Sequence, residues 1–140
     1  ASAGGKLVPA GYLKIVQPAE PGVIDEILVA DGARVRAGDL LQLSVVRGDE
    51  PYGWVVSVDG AGAVTVHAGG PLAPGRTDLP TAYRLDDAPA FEHFFLVTDD
   101  APLARSDVEA AAAAVAARRD PDAPLVVPGA RTVDVLVVKP

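Results

Sequence analysis

Bulky and polar residues alternate with a period of two over several short stretches of this chain, the pattern of strands buried on one face. From Leu40 to Val46, Leu41, Leu43 and Val45 fall on one side, and Gln42 and Ser44 on the other. From Tyr52 to Asp59, Trp54, Val56 and Val58 oppose Val55 and Ser57, and Ala63 to His67 returns as a hairpin partner across Asp59-Gly60-Ala61-Gly62. Weaker strands are predicted over Tyr12–Val16, within Val23–Val29 and over Thr81–Leu85. Strong ones are predicted over Phe91–Thr98 and Val133–Val138, the last expected inside a sheet because it carries four valines and a leucine. Around Asp31-Gly32 and Gly38-Asp39 the chain reverses, with Val35 its one inward residue between them. Residues 69–80 hold three prolines and three glycines and read as a long loop.

One helix interrupts this rhythm. Ser106 reads as its N-cap, Glu109 as the partner in a capping box, and Asp107 lies in the first turn. Val108, Ala112 and Val115 share a face, Arg118 and Arg119 complement the dipole at the far end, and Asp120-Pro121 stops it. About eight short strands, turns every 8–15 residues and one Ala-rich helix over about residues 107–118 predict a mainly β fold. The expected form is an antiparallel β-sandwich or partly open barrel. Residues 1–10 are expected to be a flexible lead-in or arm, and residues 11–140 a single β-rich domain.

Phe94 and Phe95 are neighbours, so a strand must send them to opposite faces. One is expected to pack under the helix, whose methyl-sized residues leave room for a ring. A Phe-x-x-Phe-Phe seam with Asp86 and Asp87 beside it reads as core next to an exposed turn. The expected partner-contact residues are Asp86, Asp87, Phe91, Glu92, Phe94, Arg47 and Asp49.

Composition narrows the partners. The 140 residues are 49% hydrophobic and 22% charged, enough for a substantial core. A net charge of −7 with 12 scattered basic residues disfavours nucleic acid. There is no cysteine, which removes disulfides and thiolate ligands. No apolar run approaches the ~20 residues of a bilayer crossing, so no membrane insertion by this segment is expected. The start, Ala1-Ser2-Ala3-Gly4-Gly5, carries neither an initiator Met nor a signal segment and reads as an artificially cut edge or as the remnant of a longer chain.

Candidate chemistry is thin along the primary structure. His67 and His93 are the only imidazoles, too few for zinc without other ligands, and read as ordinary surface or hairpin residues. Asp86 and Asp87 would face opposite ways in a strand. In a turn they would come together, and Glu92 would complete an oxygen site for calcium; the plainer reading is an Asx turn before Ala88-Pro89. Ser44, Ser57 and Ser106 lie in no nucleophile elbow. Gly60-Ala61-Gly62 joins two strands and is no phosphate cradle, and Arg47-Gly48-Asp49 is an adhesion-like tripeptide in a loop. No catalytic, cofactor-binding or metal-ligating residue is expected.

Three segments carry a family resemblance: Val35-Arg-Ala-Gly-Asp-Leu-Leu-Gln-Leu43, Tyr52 to His67, and Leu85 to Val97. Together they resemble a domain of myxobacterial ActD-like regulatory proteins and of the C-terminal part of zinc-finger anti-sigma-like membrane proteins. The resemblance implies a β-sandwich-like accessory domain, often outside the membrane, without catalytic residues to carry over. It also implies that a longer parent chain would supply a zinc-binding segment and a membrane helix. The resulting expectation is a non-enzymatic binding or regulatory module of a bacterial envelope or signalling protein, on the extracytoplasmic or periplasmic side. Such a module would recognise a protein partner, or itself, through an edge strand and the loops 47–51, 69–80 and 86–90. Two alternatives stand beside it: a structural subunit of a cell-surface or extracellular assembly, and a carboxylate-dependent hydrolase working through Asp86, Asp87 and Glu92.

Overall fold

The alternation read along residues 52–59 divides the interior in two. In the computed structural model, which describes residues 11–18, 26–80, 82–87 and 90–139, Val55 enters one apolar cluster and Val56 and Val58 another. The strands are β1 (Tyr12–Pro18), β2 (Glu26–Leu28), β3 (Ala33–Arg34), β4 (Leu40–Val46), β5 (Tyr52–Asp59), β6 (Val64–Pro71), β7 (Arg76–Asp78), β8 (Tyr83–Arg84), β9 (Phe91–Asp99) and β10 (Arg131–Val138). The single helix among the described residues is α1 (Arg105–Arg118). One open sheet runs β2-β1-β4-β7, with β8 also paired to β4; the second runs β3-β10-β9-β5-β6.

The first cluster lies between the sheets, where Leu13, Ile15, Leu41, Leu43 and Val45 meet Val55, Phe94, Leu96 and Val137. The second lies on the far side of the β9-β5 pair, where Val56, Val58, Phe91, Phe95 and Val97 meet Val108, Ala112, Val115 and Ala116 of α1. The molecule is thus a β-sandwich with a helix laid over one outer face, as the strand pattern predicts. Phe94 fills the first cluster and Phe95 the second, which resolves the adjacent pair as expected. As predicted, β10 is interior, between β3 and β9.

Several details depart from expectation. The β3–β10 pair is parallel, joining Ala33 to Val137 and Arg34 to Val138. Residues 69–80 are not simply loop: β6 runs on to Pro71 against the start of β5, and β7 pairs with β4. Helix α1 begins at Arg105 with Ala104 as its N-cap and no side-chain cap. The expected capping box fails because Ser106 lies inside the helix rather than at its N-cap; Glu109 Oε1 instead accepts from Arg105 Nε at 2.7 Å. The lead-in 1–10 and residues 19–25 lie outside the described residues.

Among the described residues, both sheets end on strands with no further neighbour: β2 and β7 in one, β3 and β6 in the other. Such edges leave backbone groups free to pair with another chain, which suits a protein partner or a second copy. No described helix is long and apolar enough to cross a membrane.

One glycine marks a close approach. A Cβ on Gly69 would stand 2.0 Å from the Trp54 ring opposite, a ring held by donation from Nε1 to the Leu103 carbonyl at 3.0 Å. Gly69→Ala is therefore expected to destabilise the chain by about 1–3 kcal/mol. Displacing this sole tryptophan should also shift its fluorescence. An unchanged melt and emission spectrum would remove the claim.

Candidate functional site

At one end of the second sheet, Asp59 closes β5 and Glu92 is the second residue of β9, and the two are direct cross-strand partners. Like charges facing each other across an antiparallel pair are destabilising, and here both residues are buried, at 3% and 1% exposure. Asp86, on the exposed segment after β8, completes the group: one carboxylate oxygen from each of the three lies within 4.8 Å of the others.

Local structure explains each placement. Asp59 turns the β5–β6 hairpin, its Oδ1 accepting from the amides of Ala61 and Ala63 at 2.9 Å. Gly60 N–H donates to the Phe91 carbonyl at 3.1 Å, which ties that turn to the first residue of β9. Ala90, just before Glu92, is held at φ 79°, a left-handed conformation costly for a residue with a Cβ. Its carbonyl accepts from Lys139 N–H at 2.9 Å, which brings the end of β10 to the cluster. The Lys139 side chain is 3% exposed, and its ammonium donates to Asp86 Oδ1 at 3.1 Å and lies 3.7 Å from Glu92 Oε1.

Glu92 is the centre of the arrangement. Its Oε1 is buried without a hydrogen-bond partner. Burial pushes its acid up to about 7; the Ser57 hydroxyl and Lys139 pull the other way, and the charges of Asp59 and Asp86 push further up. A second layer of polar groups stands behind it. Ser57 Oγ lies 2.8 Å from His67 Nε2, and the imidazole stacks edge-on against Tyr83 at 4.8 Å between centroids. The β5–β6 register steps from Val56↔Val66 to Val55↔Ala68, so His67 is the extra residue of a bulge that turns it towards Ser57. Burial brings His67 down to about 4 and is the main cause raising the Tyr83 phenol, so the imidazole is neutral at neutral pH.

The expected contact residues separate under this geometry. Glu92 and Asp86 come together, with Asp59 in the place expected of Asp87. Phe91, Glu92 and Phe94 are buried at 4%, 1% and 0% exposure and are walls of the fold, not a contact surface. Asp49, Asp86 and Asp87 are exposed and Arg47 partly so, its Nη1 donating to the Leu72 carbonyl at 3.1 Å. His93 is no surface residue: it is 2% exposed, 2.6 Å from Asp134, on the opposite face from Glu92. Asp59, Lys139, Ser57 and His67 were not foreseen as members of a site. The available signal was the strand pairing: aligning Trp54 with Val97 forces Asp59 opposite Glu92.

This cluster corrects the expectation of a non-catalytic module with nothing arranged for chemistry. Three converging carboxylates, two of them buried, form a group able to coordinate a metal ion, and that argues against a non-enzymatic assignment.

The comparisons with known proteins are local. A stretch of 39 residues, 28% of this chain, is 51% identical to protein CyaD of Bordetella pertussis, in two strains, where it covers 9% of that protein. The matching region is thus a small fraction of CyaD and establishes no family. No family model matches the chain, and no solved structure matches it.

Proposed function

We propose that the Asp59–Asp86–Glu92 cluster is a carboxylate centre that takes up a hard divalent cation and supports hydrolysis. The observation that carries this reading is Glu92 itself. It is 1% exposed, lies opposite a second buried carboxylate, and has an oxygen with no hydrogen-bond partner turned into the cluster. A buried acid pair of this kind needs a proton or a cation to offset its repulsion. Oxygen-only donors select calcium, magnesium or manganese over softer metals. Calcium–oxygen bonds of about 2.3–2.6 Å bridge oxygens up to roughly 5 Å apart, which accommodates the observed spread of 4.8 Å.

In the hydrolytic step, Glu92 as carboxylate takes a proton from the attacking water and, as carboxylic acid, returns it to the leaving oxygen. Asp86, on the exposed rim, is the side from which a substrate approaches. The resemblance to accessory domains of envelope proteins supports an extracytoplasmic setting within a longer chain, and the open sheet edges support assembly there with a partner or a second copy.

Calorimetric titration of the chelator-treated chain with calcium, magnesium and manganese tests the centre, alongside turnover of phosphoester and carboxylic-ester substrates. Saturable binding and hydrolysis are expected, both lost in Glu92→Gln while the fold persists. Binding and turnover unchanged in that variant would refute the assignment.

A further inference from the structure

The cluster already holds one cation, the Lys139 ammonium. We propose that Lys139 is an internal counter-ion that keeps the carboxylate centre closed, and that a divalent ion enters by displacing it. This rests on the reading of the cluster as a cation site. Two features bear on it: Glu92 Oε1, in a side chain 1% exposed, has no hydrogen-bond partner and faces the lysine ammonium at 3.7 Å, and that lysine side chain is 3% exposed with its nitrogen directed at two of the three acids.

The geometry makes the two cations competitors. Lys139 Nζ is 3.1 Å from Asp86 Oδ1 and 3.7 Å from Glu92 Oε1. A calcium ion bound to Asp86 Oδ1 at about 2.4 Å would lie within roughly 6 Å of that ammonium. Like charges at that separation in a partly dehydrated site repel strongly. The lysine also has somewhere to go. Its backbone is fixed by the bond to the Ala90 carbonyl, and its flexible stem lets the ammonium swing past the exposed Asp86 into water. Lys139 therefore sets the affinity threshold: the centre fills only when the ion's concentration is high enough to expel it. The ammonium also spares the empty site the full repulsion between Asp59 and Glu92.

Calcium titration of Lys139→Met against the unsubstituted chain, at one pH and ionic strength, tests this. The variant is expected to bind about ten-fold more tightly or better. Equal or weaker binding by the variant, with calcium still bound by the unsubstituted chain, overturns the displacement and leaves the cation site standing. Absence of binding in both overturns the site as well. Because removing one partner of a buried ion pair can unfold a protein, a second measurement uses the unsubstituted chain. The sequence has three lysines, Lys6, Lys14 and Lys139, so lysine-selective ¹⁵N NMR gives three side-chain signals. Calcium is expected to move the Lys139 signal from slow to rapid hydrogen exchange with solvent and to leave Lys14 unchanged. A Lys139 signal still protected at saturating calcium overturns the proposal.

Discussion

Truncating Phe94 to alanine is expected to cost about 3–5 kcal/mol of folding stability, roughly a fifth or more of the 5–15 kcal/mol a domain typically has. The ring is fully buried between the sheets, among Leu41, Leu43, Val55 and Leu96, and lies 5.8 Å from both His67 and Tyr83 between centroids. Strands β4 and β9 are fixed in their own ladders, so the space cannot collapse to refill it. Phe95→Ala is expected to cost a comparable amount, yet with a different signature. Its loss opens the layer beneath Val108, Ala112 and Val115, so α1 should fray first and its amides should lose hydrogen-exchange protection. The Phe94 variant should keep α1 protected and instead loosen His67 and Tyr83. Urea unfolding with residue-resolved exchange separates the two. A loss below about 1 kcal/mol for either variant, or the same exchange pattern in both, would contradict the two-core description.

The two cores were legible because alternation reports directly which face a side chain takes. Leu41, Leu43 and Val45, and Val56 and Val58 against Val55, all fall where their parity places them. The helix face through Val108, Ala112 and Val115 follows from the 3.6-residue period in the same way. Pairing between distant segments is a different kind of fact. Nothing local in Ala33-Arg34 says that it lies parallel to Val137-Val138. Nor does anything in the glycines at 69 and 70 announce that they continue a strand. The candidate centre was hidden for the same reason. Asp59 reads correctly as a turn residue, because its Oδ1 does cap the hairpin. Its second identity as the buried neighbour of Glu92 exists only once β5 and β9 are aligned. Lys139 is contributed from the far end of the chain, and His67 reaches Ser57 only through a bulge. The adjacent Asp86 and Asp87 drew attention that belonged to three acids spread over 34 positions, from 59 to 92.

In chelator, Glu92→Gln and His67→Asn should give stability profiles of opposite slope between about pH 4.5 and 6.5. The imidazole falls from 6.5 to about 4 on folding, because burial disfavours its charged form. Across that interval the unfolded chain binds more protons there than the folded one. The His67 contribution is therefore full above pH 6.5 and is lost as pH drops towards 4. Glu92 behaves inversely: its acid rises from 4.5 to about 7, chiefly through burial, so the folded chain holds the extra proton. That contribution is full below pH 4.5 and is lost as pH climbs through 7. Each is worth roughly 3–4 kcal/mol at most, so in the unsubstituted chain the two nearly cancel and these groups leave stability flat between pH 4.5 and 6.5. With Glu92→Gln the histidine acts alone and stability should rise with pH over this window; with His67→Asn the acid acts alone and stability should fall. The two groups meet through Ser57, which lies 2.8 Å from the imidazole and hydrogen-bonds Glu92, so a proton gained by one is felt by the other. Chemical denaturation at half-unit pH steps reads both slopes. Slopes of the same sign in the two variants would mean that the imidazole and the carboxyl are not held by burial in opposite charge preferences, and the polar network behind the carboxylate centre would have to be redrawn.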